Sequence, residues 1–178
     1  MKKKILISLA LVSVITGFSA LQVRAQSVNQ ASVTAHASAE VIEAITATEV
    51  AIMNFGRFFP ETNGGEIRLT PDGIRTTSGN VTLSGGSYNQ AIFHITGHFE
   101  ATITIALPSG TAYLTNLTNG KTMEVTEWEA NPSLDSGTGV LKDGKLTLNV
   151  GATLKVGSMN DNPVGLYSGT YAITVSYN

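Results

Sequence analysis

The chain has 178 residues, no cysteine, and 11 Lys and Arg against 13 Asp and Glu, for a formal net charge of −2. Without cysteine there is no disulfide, no thiolate nucleophile and no cysteine-borne lipid anchor, so stability has to come from burial. The length suits one ordinary domain with a real core.

The first 25 residues read as a secretory signal peptide: three lysines, an apolar run over 5–15, and the small pair Val23 and Ala25 at cleavage spacing. The apolar run is shorter than the ~18 residues of a membrane span, and no later segment replaces it. The expected mature chain is a single domain over 26–178. Four of the basic residues (Lys2, Lys3, Lys4 and Arg24) precede it, which leaves seven basic against 13 acidic residues and a net charge of −6. An acidic surface without basic clusters excludes nucleic acid and anionic lipid as natural partners.

Residues 31–41, ASVTAHASAEV, alternate, with Ala31, Val33, Ala35, Ala37, Ala39 and Val41 on one parity. Such a segment is either the first strand of its own domain or a strand offered to a neighbour. A buried Val contributes roughly 1.5–3 kcal/mol and Ala much less, so this face brings ~4–8 kcal/mol before ordering entropy. That is thin for association, and the reading favours a strand intrinsic to the chain. The following stretch, 39–50, has a less clean period and is also read as strand.

Further short alternating runs follow at 52–55, 66–69, 80–83, 91–96, 102–107, 122–128, 145–156 and 167–177. Turn signals separate them: Asn63-Gly64-Gly65, Pro71-Asp72-Gly73, Asn119-Gly120 and Asp143-Gly144. This spacing predicts an all-β, antiparallel β-sandwich. In the last run Tyr167, Gly169, Tyr171, Ile173, Val175 and Tyr177 share one parity against small polar residues on the other, so one face meets a core.

Candidate chemistry is sparse. His94 and His98 share a parity but stand roughly 13 Å apart on an extended strand, too far to share a metal ion, and His36 is on the polar side of residues 31–41. The segment Asn119-Gly120-Lys121-Thr122 lacks the first glycine of a phosphate-binding loop, since that place holds Thr115. No nucleophile elbow occurs, and Gly85-Gly86-Ser87 reads as a turn. Glu127 and Glu129 flank Trp128 on the opposite parity, so a wet carboxylate face over a buried Trp is the simpler reading than a glycosidase pair. Asp135 and the loop 158–163 have oxygen ligands without calcium-loop spacing. No cofactor, metal or catalytic residue is expected. Trp128, Tyr88 and Tyr113 are weak candidates for ligand contact.

Five stretches taken together carry a resemblance: MNFGRF (53–58), GGEIRLTPDGIRTTSGNVTL (64–83), QAIFHITGHFEATITIALPSG (90–110), MEVTEWEANPS (123–133) and the closing run over 141–178. In this order they resemble the exported bacterial family DUF4402 over nearly the whole mature chain. The resemblance implies an exported β-sandwich and assigns no reaction. The loop 158–163 is slightly longer than the family pattern suggests. A fainter likeness is to chaperone-usher pilus subunits, whose terminal alternating strand carries a penultimate Tyr and an upstream Gly; Tyr177 and Gly165 occupy those places here. It implies an immunoglobulin-like, pilin-like Greek key, although many such subunits carry a disulfide and this chain has none.

These readings converge on an exported, non-enzymatic structural or surface-assembly protein of the fimbrial kind, acting through β-strand pairing with copies of itself or other surface proteins. The candidate pairing residues are Val33, Ala35, Ala37, Ala39 and Val41 at one end, and Gly165, Tyr171, Ile173, Val175 and Tyr177 at the other. The alternative is an adhesin-type module that binds glycan or protein on a cell surface.

Overall fold

A computed structural model describes residues 30–178, so the predicted signal peptide lies outside the described residues. The chain divides into two units, Met1–Glu40 and Val41–Asn178. In the first, residues 30–40 carry no strand and every one is exposed.

The second unit is built almost wholly of antiparallel strands. They are β1 (Thr46–Ala51), β2 (Phe58–Leu69), β3 (Arg75–Leu83), β4 (Ala91–Thr96), β5 (Thr102–Ala106), β6 (Ala112–Asn116), β7 (Thr122–Asn131), β8 (Thr138–Val140), β9 (Lys145–Val156), β10 (Tyr167–Ser168) and β11 (Thr174–Tyr177). A large sheet runs β1-β4-β9-β7-β6-β10, with the β2–β3 hairpin attached to β9, and a small sheet runs β11-β5-β8. The architecture is an antiparallel β-sandwich of one curled sheet and a smaller one, as the alternation predicts. Among the described residues, no helix is long and apolar enough to cross a membrane.

β9 organises the fold because it carries a large apolar side chain at nearly every second position. Leu148 and Val150 are fully buried in one core cluster, and Ala152, Leu154 and Val156 are buried in another. Along one edge β9 pairs first with β4, from Lys145 to Val150, and then with β2, from Ala152 to Val156. The change of partner falls at Gly151, where a Cβ would overlap the Leu69 carbonyl oxygen, so only glycine lets β2 enter this close.

The first cluster gathers Ile67, Leu69, Val81, Met123, Val125 and Leu154 inside the curl of the large sheet. The second holds Ala91, Ile95, Ile103, Ile105, Leu141, Leu148 and Val150, with the small sheet as its other wall. At roughly 1.5–3 kcal/mol for each buried Leu, Ile or Val, these clusters are the main stabilising term.

Turn chemistry follows the sequence closely. Asp143 (φ 52°) and Gly144 (φ 71°) both take the left-handed conformation of a tight two-residue turn, closed by Lys145 N donating to the Lys142 carbonyl at 2.9 Å. The strands on either side then part, β8 to the small sheet and β9 to the large one.

Four predicted strands differ from the structure. Residues 31–41 form no strand, and the run 39–50 is a strand only from Thr46 onward, as β1. Ordering a residue costs ~1–2 kcal/mol, and a face made mostly of Ala does not return that over eleven residues. Residues 52–55 form only an isolated bridge, Asn54 with Asn89, because the Asn54 side chain accepts from Gly56 N at 2.8 Å and bends the chain there. The closing run 167–177 is split: β10 pairs with β6 and β11 with β5. Between them Gly169 lies so close to the Tyr113 carbonyl that a side chain would overlap it. β6 and β8, short and poor in alternation, were not predicted as strands.

Candidate assembly surface

Residues 31–41 keep the alternation of a strand without its pairing. Val33 is 92% exposed and Val41 is 97% exposed, and Ala35, Ala37 and Ala39 are exposed as well. Large apolar side chains left in water next to unpaired backbone mark a segment suited to adding onto a sheet edge.

At the other end of the chain, Tyr171, Ile173, Val175 and Tyr177 all point inward and are half-buried against the second core cluster, while Ala172, Thr174 and Ser176 between them are exposed. The predicted parity is therefore correct even where the strand is broken. β11 is an edge strand, paired on one side only, with β5.

Tyr177 does more than pack. Its hydroxyl accepts from His98 N at 2.7 Å and donates to the Glu43 carbonyl at 2.6 Å. The ring end sits over Gly97, where any side chain would collide with the hydroxyl. One phenol thus ties the last strand to the end of β4 and to the residues entering β1. Gly97-His98 is a visible dipeptide, but nothing in its local pattern signals a partner 79 residues away.

Tyr171 packs against Trp128 with the rings tilted by 40° and their centroids 4.6 Å apart, and meets Phe93 edge-on at 6.5 Å. Burial, and then the Glu49 carboxylate, push its phenol well above the ordinary tyrosine range. Glu49 pairs with Phe93 across β1 and β4, so Tyr171 and the core-facing side of β1 lie on the same flank of the sandwich. Gly165 has a separate role: it lets the chain pass against the buried Asn116 side chain, which a Cβ would strike.

The candidate contact aromatics do not form one platform. Trp128 is half-buried: it packs against both core clusters and donates through Nε1 to the Gly110 carbonyl at 3.3 Å. It sits at a bulge where Glu127 takes φ 51° and the register against β9 shifts. Tyr88 is exposed, with the Arg75 guanidinium 4.2 Å from its ring centre. Tyr113 is exposed on β6 opposite Glu124 of β7. Glu129 pairs instead with Arg68 at 2.5 Å.

His94 is exposed on β4, and His98 lies beyond its end. Among the described residues no group of three His, Cys, Asp or Glu could hold a metal ion. The loop 158–163 is held by its own bonds. Asp161 accepts from the Ser158 hydroxyl at 2.6 Å, and these Ser158 bonds keep its carboxyl below the usual range. Asn162 spans from Gly157 N to the Thr122 carbonyl.

A family model described as a domain of unknown function, DUF4402, matches residues 45–177. The chain belongs to this family. The match begins just before β1 and ends at Tyr177, so it covers the whole sandwich and excludes residues 31–41. No curated protein matches the chain, and the likeness to pilus subunits is not confirmed.

Proposed function

We propose that this DUF4402 chain is an exported, non-enzymatic structural or surface-assembly protein of the fimbrial kind, joining to its neighbours by β-strand pairing. The observation that carries the reading is the state of residues 31–41: alternating, exposed throughout and without a strand in their own chain. A segment of this kind gains backbone hydrogen bonds and side-chain pockets only from a sheet edge supplied elsewhere. The leader over 1–25 supports export. The test is to recover the protein from fractionated cells and run it unheated on a denaturing gel. A ladder that collapses on heating is the expected result; a monomer at every concentration overturns the reading.

The exposed Tyr113, and Tyr88 beneath the Arg75 guanidinium, favour a second reading as a glycan- or protein-binding module. A glycan array probed with the mature chain and with Tyr113→Ala separates the two, since a module of this kind gives hits that the substitution removes.

A further inference from the structure

The described residues include three arginines, and one of them, Arg68, pairs with a carboxylate; Arg57 and Arg75 have no such partner among the described residues. Both flank one loop. Arg75 opens β3, and its guanidinium crosses to the chain ahead of β2, where Nη1 donates to the Phe55 carbonyl at 2.7 Å. The same group stands over the Tyr88 ring, 4.2 Å from its centre. Arg57 is exposed, and its carbonyl accepts from Ser84 N at 2.9 Å. Its Cγ and Cδ lie 3.4 Å from the place a Cβ would take on Gly86. The two cations therefore border residues 84–88, in the connection from β3 to β4.

In a chain with more acid than base, two uncompensated guanidiniums on one short loop are a local exception. The Arg75 Nε is shut from water and has no hydrogen-bond partner. Such a donor costs stability until an acceptor reaches it. The loop adds donors of its own. Among the described residues, no hydrogen bond within the protein uses the backbone N–H of Gly85, Gly86, Ser87 or Tyr88. A Cβ on Gly85 would meet nothing within 4 Å, so this bare backbone faces open space that a ligand can enter closely.

Resting on the second reading above, we infer that the β3–β4 loop is a subsite for the oxyanion of an acidic sugar, a carboxylate or a sulfate ester. The planar guanidiniums of Arg57 and Arg75 supply charge and forked donors that match such a group. The free N–H groups of the loop take its remaining oxygens. Tyr88 points to a sugar instead of a bare anion. Arg75 covers one face of its ring, yet the residue is 43% exposed, which leaves ring surface for the C–H face of a pyranose. The net negative charge of the chain repels a polyanion elsewhere, so binding is confined to this loop and weakens with salt.

The test is binding of the mature chain to immobilised oligogalacturonate, which offers only carboxylates, to dextran sulfate, which offers only sulfates, and to neutral dextran. Binding to an acidic polymer and not to dextran is expected, and the polymer that binds identifies the oxyanion. Arg57→Glu, at an exposed position whose substitution should leave folding intact, should weaken it about tenfold or more. Arg75→Gln, checked for folding by circular dichroism, should do the same. Lys142→Glu makes the same charge change as Arg57→Glu in the exposed turn before β9, which meets β4 at its far end through Gly97, and should cost less than about twofold. Equal losses from Arg57→Glu and Lys142→Glu would overturn the subsite by reducing the binding to net charge. Binding to neutral glycans that Tyr113→Ala removes and Arg57→Glu leaves intact would overturn it while sparing the binding-module reading. No binding to any glycan, acidic or neutral, would overturn the subsite and the glycan-binding reading together.

Discussion

β9 and residues 31–41 share one pattern and have opposite fates. Both alternate small or polar residues with apolar ones over eleven or twelve positions. In β9 the alternate places hold Leu and Val, strands flank it on both sides, and burial extends to both faces from Val150 to Leu154. In 31–41 they hold mainly Ala, and the segment stays in water. Alternation specifies which way side chains point; the volume of those side chains decides whether the chain keeps the strand for itself. A methyl group every second residue leaves the ordering entropy unmet, whereas Leu or Val meets it.

Four substitutions break or sharpen this contrast. The largest effect is expected at Leu148→Ala, which removes a fully buried side chain from the middle of β9 and should cost about 2–5 kcal/mol by chemical denaturation. Gly151→Ala adds volume where β2 presses on β9 and should cost about 1–3 kcal/mol in the same measurement. Tyr177→Phe keeps the ring and deletes both hydroxyl bonds, for an expected loss of ~1–2 kcal/mol and faster amide exchange at His98. Ala37→Asp should leave denaturation within about 0.5 kcal/mol of the parent, as for an exposed site, while eliminating the gel ladder. A large stability loss from Ala37→Asp would mean that the segment belongs to its own domain after all.

Much of the sandwich was legible in the sequence where large apolar residues alternate between turn signals. β4 and β9 have the predicted bounds, and the inward parity of Tyr171, Ile173, Val175 and Tyr177 is correct. The inward turn of Trp128 was not legible: unbroken alternation from the buried Met123 and Val125 would point it outward, and the bulge at Glu127 that turns it in leaves no pattern, since it rests on a left-handed glutamate. Residues 31–41 misled because the small size of their side chains was set against association with a neighbour and not against the ordering entropy of a strand in their own chain. The split of the last run at Gly169 was hidden because its cause, the Tyr113 carbonyl, lies on another strand. The same holds for the candidate site. The alternation of residues 31–41 could be read from one stretch of sequence, whereas the edge strands β1 and β11 stand at opposite ends of the sandwich sequence and come to one flank only in the fold.

The Tyr177 hydroxyl has a mechanical consequence. A pull on the chain ahead of Val41 enters the sandwich at Glu43, whose carbonyl holds the phenol, before any load reaches the β1–β4 ladder. Under such a pull that single bond is the first fuse, and the edge strand β1 peels from β4 only after it has parted.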